Sequence, residues 1–158
     1  VLRAYFYFRI FLNAFPLKRK DIKTLLSQFK DIKFKNNRVI LYRAIRLKAD
    51  DSPLIECVGR YWTINKIKAF PYGGKGTREY YYIYHAIVPF KSINWKLTIK
   101  HSLWEHRHEK EVALLFGRDI EVNKIEKIKD LKPYRLEGGG WKFPREVEET
   151  ITIHKCKV

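Results

Sequence analysis

The sequence predicts an α+β fold: a mixed sheet with a βαβ-like N-terminal unit, a long aromatic β-hairpin and two further C-terminal helices. Three observations carry that prediction. Segments 3–12 and 38–48 are β-prone, the stretch between them is apolar at helical spacing, and the later helix and strand signals mix without a strict βαβα rhythm. At 158 residues the chain reads as a single domain over 1–158, long enough to bury a core. Its 46% hydrophobic and 32% charged content suits a packed interior and argues against disorder.

The first strand runs from Arg3 to Leu12. Alternation places Phe6, Phe8, Ile10 and Leu12 on a core face and Arg3, Tyr5, Tyr7 and Arg9 on the other. From Leu17 to Ile32, Ile22, Leu25, Leu26, Phe29 and Ile32 recur every three or four residues, which predicts an amphipathic helix carrying Lys18, Arg19, Lys20, Lys23 and Lys30 on its polar side. Asn36-Asn37 marks a turn, and Arg38 to Lys48 is a second strand. After the loop Ala49 to Pro53, Leu54 to Phe70 predicts one or two strands with Gly59 as a bulge. Pro71 to Thr77 is rich in glycine and separates that stretch from the aromatic strand Glu79 to Phe90, so a hairpin with a basic tip is expected. Ile93 to Lys100 reads as a further strand. Ser102 and Glu105 match a capping box, which predicts a helix from Ser102 to Phe116 stopped by Gly117. Arg118 to Val122 reads as a short strand, and Asn123 to Leu131 as a short helix with Ile125, Ile128 and Leu131 inward. Gly138 to Gly140 is a loop, and Thr150 to Val158 a last strand.

Charge locates the functional expectation. The formal net charge is +16, and residues 1–48 hold 13 Lys/Arg against two acids, Asp21 and Asp31. Residues 101–158 are almost balanced, with 12 basic and 11 acidic side chains. A field of one sign calls for an external polyanion, most simply DNA or RNA, although a basic surface that only maintains solubility has the same composition. Tyr80, Tyr82 and Tyr84 share one face of their strand, and with Arg3, Tyr5, Tyr7 and Arg9 they form the expected aromatic, basic binding surface. The competing possibility is that helices cover both sheet faces and these tyrosines are core. Lys18, Arg19, Lys20, Lys75 and Arg78 complete the expected nucleic-acid contacts. The loop around Lys75 lacks the spacing of a P-loop, so it offers at most backbone amides and two cations to a phosphate.

Catalysis is the alternative. A metal-dependent nuclease needs convergent carboxylates near a basic groove, and the basic two thirds of the chain hold few acids. Glu79 and Glu56 lie in or beside predicted strands, where a carboxylate is disfavoured unless paired or used. They are the catalytic candidates, with Asp50 or Asp51 as substitutes for Glu56, and Mg²⁺ or Mn²⁺ is the cofactor in that case; the binding protein needs none. A third reading is a structural component of a nucleoprotein particle. His101, His106 and His108 lie near Glu105, Glu109 and Glu111, but two histidines two residues apart diverge by about 200° on a helix, so a solvated helix start is expected rather than a metal site. Cys57 and Cys156 fit an intracellular chain with buried thiols, and a single disulfide stays open. Val1 to Phe15 lacks a continuous apolar core and does not read as a signal peptide, and no run approaches the ~20 apolar residues of a membrane span. The expected partner is therefore nucleic acid and no membrane.

Overall fold

The computed structural model describes residues 18–30, 32, 34–48, 59–69, 79–105, 110–130, 134–142, 145–151 and 156–157. Within them the chain builds an antiparallel sheet with two helices, an α+β architecture. The first predicted strand, Arg3 to Leu12, lies outside the described residues, as does the loop that follows Phe70.

Helix α1 spans Arg19–Gln28, shorter at both ends than the periodicity suggested. It buries Leu25 and, just past its end, Phe29. Strands β1 (Phe34–Lys35) and β2 (Arg38–Lys48) follow as a tight hairpin. Its two turn residues, Asn36 and Asn37, sit at φ of 50° and 59°, left-handed backbone that asparagine tolerates better than most residues. Strand β2 then pairs along its whole length with β4 (Glu79–Pro89), from Arg38 opposite Pro89 to Lys48 opposite Glu79. Runs of Val, Ile, Leu and Tyr at alternating positions favour this pairing, because each strand has a face to bury.

Strand β3 (Tyr61–Thr63) pairs with β2 on one side and with β5 (Glu111–Ala113) on the other. Strand β4 continues on its far side into β6 (Asp119–Asp130), whose outer edge takes both β9 (Arg145–Ile151) and β10 (Cys156–Lys157). The sheet order is therefore β10-β6-β4-β2-β3-β5, and among the described residues every pair is antiparallel. A separate small hairpin joins β7 (Tyr134–Arg135) to β8 (Trp141–Lys142) around the predicted glycine loop. The expected hairpin between the stretch before Phe70 and Glu79–Phe90 is not the pairing found among the described residues. Strand β2 stands between β3 and β4, so the sequence neighbours are not neighbours in the sheet.

Three predicted elements change identity. The stretch predicted as strand 93–100 holds helix α2 (Trp95–Lys100), capped by Asn94, whose side-chain oxygen accepts from the Leu97 amide at 3.1 Å. One π-helical turn, His101–Glu105, continues it. Ser102 therefore ends a helix instead of starting one. Its neighbours explain this: Trp95, Thr98, Ile99, Ser102 and Leu103 are all buried at spacings of three and four, so one helical face enters the core. The predicted helix 102–116 gives way to β5, because Val112, Ala113 and Leu114 are consecutive buried residues between β3 and the bridge from Ile93 to Leu114.

The predicted helix 123–131 is the second half of β6. Strand β6 carries a bulge, and the spacing of three from Ile125 to Ile128 is not one face of a helix. His85 faces Lys124 and Ala86 faces Val122, so Asn123 is an extra residue. Val122 and Ile125, three apart, thereby reach the same face and join the main core. Ile128, three further on, belongs to the opposite face with Ile83, as a strand requires and a helix would not.

The core follows from these faces. Val39 and Leu41 of β2, Tyr82, Tyr84, Ala86 and Val88 of β4, and Val122 and Ile125 of β6 line one side of the sheet. α1 and α2 cover that side with Leu25, Phe29, Trp95 and Ile99. The other side carries only a small cluster in which Ile83 and Ile128 are packed by Tyr42 and Ala44. No helix among the described residues is long and apolar enough to cross a membrane.

Candidate nucleic-acid interface

The cations of α1 sit where the core leaves them. Because Leu25 and Phe29 turn inward, Lys18, Arg19, Lys20, Lys23 and Lys30 are all exposed. The acid in this helix, Asp21, is taken up by the helix start: its carboxylate accepts from the Lys18 backbone N–H at 3.2 Å. No carboxylate among the described residues pairs with the cations of α1. Farther along, Arg38 is held by Glu121 at 2.9 Å in an exposed pair.

The remaining sequence-predicted site residues separate into three groups. Arg3, Tyr5, Tyr7, Arg9, Glu56, Lys75 and Arg78 lie outside the described residues. Glu79 opens β4 with its backbone opposite Lys48 of β2, and its side chain is not among those described. Tyr82 is corrected. It is 4% exposed and packed in the main core with Tyr84, so it offers no ring to a ligand. The tyrosine face that was expected to stack bases is the face that α1 and α2 cover.

His101 is also corrected. Instead of standing at a solvated helix start, it is buried, contacts the Glu111 carboxylate through Nδ1, and lies against Tyr61 with ring centroids 5.5 Å apart at 24°. His106, His108 and Glu109 lie outside the described residues. Among the described residues, no three His, Cys, Asp or Glu side chains are grouped to hold a metal ion.

Two features went unread in the sequence. On the less covered face, the bulged register of β4 and β6 brings His85 to Glu126, with Nε2 2.8 Å from Oε2. Lys66, from the turn after β3, and Lys124 each place Nζ 2.5 Å from the same carboxylate, and Tyr42 packs edge-on to His85 at 5.0 Å. Burial acts to raise the Glu126 pKa, yet the hydrogen bonds from Lys124, Lys66 and His85 outweigh it and hold the carboxyl down at about 2. For His85 burial is the leading influence and lowers its pKa; the Glu126 contact opposes this, and the two lysines reinforce it. The ring is therefore neutral at pH 7, and since a carboxylate only accepts, Nε2 carries the proton. With three donors on it, Glu126 acts as an anchor for cations rather than as a base or a metal ligand.

The second feature adjoins the first, because Tyr42 borders both. A cleft of about 200 Å³ opens beside Tyr42, Arg43, Tyr61, Lys68 and Glu111. Gly59 makes room at its rim: its φ is +71°, and a Cβ there would stand 2.8 Å from the Arg43 guanidinium. Beyond Tyr61, the Arg60 guanidinium lies over the Phe116 ring at 4.1 Å and over Tyr61 at 5.5 Å. Both rings are exposed, and Trp104 in the π-helical turn is exposed as well. That turn meets α1 where Gln28 donates to the Ser102 carbonyl at 2.9 Å. Pairing Arg60 with a ring 56 positions away needs the β3–β5 register, which no local pattern announces. The surface can neutralise phosphates with α1 and offer planar groups near it. No protein-family model matches the chain, and neither a curated protein nor a solved structure matches it significantly.

Proposed function

We propose that this chain binds nucleic acid, with phosphate neutralisation as the main source of affinity. The observation that supports the reading is the concentration of charge: a surplus of 11 positive charges in residues 1–48, of which the described part includes five exposed cations on and beside α1. Such a field attracts a polyanion because each lysine or arginine that meets a phosphate releases a condensed counterion. Specificity for base sequence is expected to be weak, since phosphates carry no sequence information.

The experiment is a binding titration at low salt with labelled DNA and RNA, run in EDTA and again in Mg²⁺ or Mn²⁺. Saturable binding in EDTA with the probe left intact is the expected result. Absence of binding to either nucleic acid overturns the reading. Cleavage that needs the metal replaces it with the nuclease, and Glu79→Ala then tests whether that carboxylate takes part.

A further inference from the structure

We infer that Arg60, Tyr61 and Phe116 form a base-stacking platform for single-stranded nucleic acid. This rests on the reading above and adds to it a substrate class and a second contact surface. Phe116 is 70% exposed, at the turn between β5 and β6 where Gly117 takes φ +66°.

Its setting is organised. The Arg60 guanidinium covers the Phe116 ring at 4.1 Å and approaches the Tyr61 ring at 5.5 Å, so a planar cation links two rings. Among the described residues the Arg60 Nε has no hydrogen-bond partner, so ring contact rather than hydrogen bonding at this atom positions the group. Backbone geometry fixes the arrangement further, because the Leu114 amide donates to the Arg60 carbonyl at 2.8 Å and Tyr61 pairs with Ala113. Tyr61 is 40% exposed and backed by His101, which Glu111 holds in turn. The rings are thus pre-positioned, which lowers the entropy lost when a base stacks on them.

The chemistry selects an occupant. Aromatic faces interleaved with guanidinium accept any nucleobase by stacking, and only an unpaired base has a free face to give. The positive field of the chain supplies the complementary attraction for the phosphates that come with it. Trp104, 58% exposed, lies on the turn between this platform and α1, so a single strand can stack at one end and be neutralised at the other.

The test compares binding of oligouridylate, oligothymidylate and a blunt duplex to the parent, Phe116→Ala and Arg60→Lys proteins. Arg60→Lys keeps the charge and removes the plane. Both variants are expected to bind the single strands roughly 5- to 100-fold more weakly, with duplex affinity changed less than about twofold. Photocrosslinking of an iodouridine-substituted strand to the parent is expected to label Phe116, Tyr61 or Trp104, a readout independent of whether either variant folds. Unchanged single-strand affinity in both variants, or crosslinks confined to other segments, overturns the platform and leaves the electrostatic reading standing. A parent that binds no nucleic acid overturns both. Phosphatidylserine vesicles form the last arm: binding that depends on Phe116 there and not on oligonucleotides assigns the patch to a membrane surface and overturns the inference.

Discussion

Glu126→Gln is expected to lower stability by about 2–3 kcal/mol at neutral pH, a large effect for a change that keeps side-chain shape. Glu126 is 5% exposed as a side chain and accepts from Lys66, Lys124 and His85. A neutral amide of the same shape keeps the packing and loses the charge that holds these donors. The two lysines can swing partly to water, which keeps the loss below that of a fully enclosed pair. The sign of the pH dependence follows. The Glu126 carboxyl lies at about 2 in the folded protein against an ordinary 4.5, so its contribution is complete above pH 4.5 and drains away as pH falls toward about 2. His85 titrates below its ordinary 6.5, so the unfolded chain binds its proton first and stability also falls as pH drops below 6.5. Urea denaturation at stepped pH should show the parent losing stability across both windows, and Glu126→Gln losing only the upper part. An unchanged acid limb in the variant would remove Glu126 from its assigned role.

The second large effect concerns binding. Replacing Lys18, Arg19, Lys20 and Lys23 together with alanine is expected to weaken nucleic-acid binding roughly ten- to a thousandfold at low salt. All four side chains are exposed and leave the buried face of α1 untouched. Arg19, Lys20 and Lys23 lie in the helix, where alanine is the strongest former, and the Lys18 side chain makes no cap hydrogen bond, so thermal stability should move by about 0.5 kcal/mol or less. A folded variant with parental affinity would place the binding field elsewhere in the chain.

Parts of this architecture are legible in the residues. Strands β2 and β4 announce themselves through long Val, Ile and Tyr runs, α1 through its three-and-four spacing, and the β1–β2 turn through Asn36-Asn37. Where prediction failed, a tertiary cause is visible. Ile125 and Ile128 stand three apart because β6 buries one on each of its faces, and that spacing imitates a helix. Half of the six residues of α2 are β-prone, and its packing face betrays it. Tyr82 has the alternation of an open sheet face, but alternation cannot say which face the helices cover. The His85–Glu126 contact joins residues 41 apart and exists only because of strand register. Charge needed no such knowledge, since a cluster of lysines on the polar side of an amphipathic helix is exposed by the same pattern that predicts the helix.

The most direct test of phosphate neutralisation is the dependence of the observed binding constant on salt, measured by anisotropy with one labelled single strand. Log K against log salt should fall linearly with a slope of about −3 or steeper, since each of four or more neutralised phosphates on a single strand contributes about −0.7. The alanine variant of α1 should show a clearly shallower line. Affinity that does not change with salt, in parent and variant alike, would contradict the account.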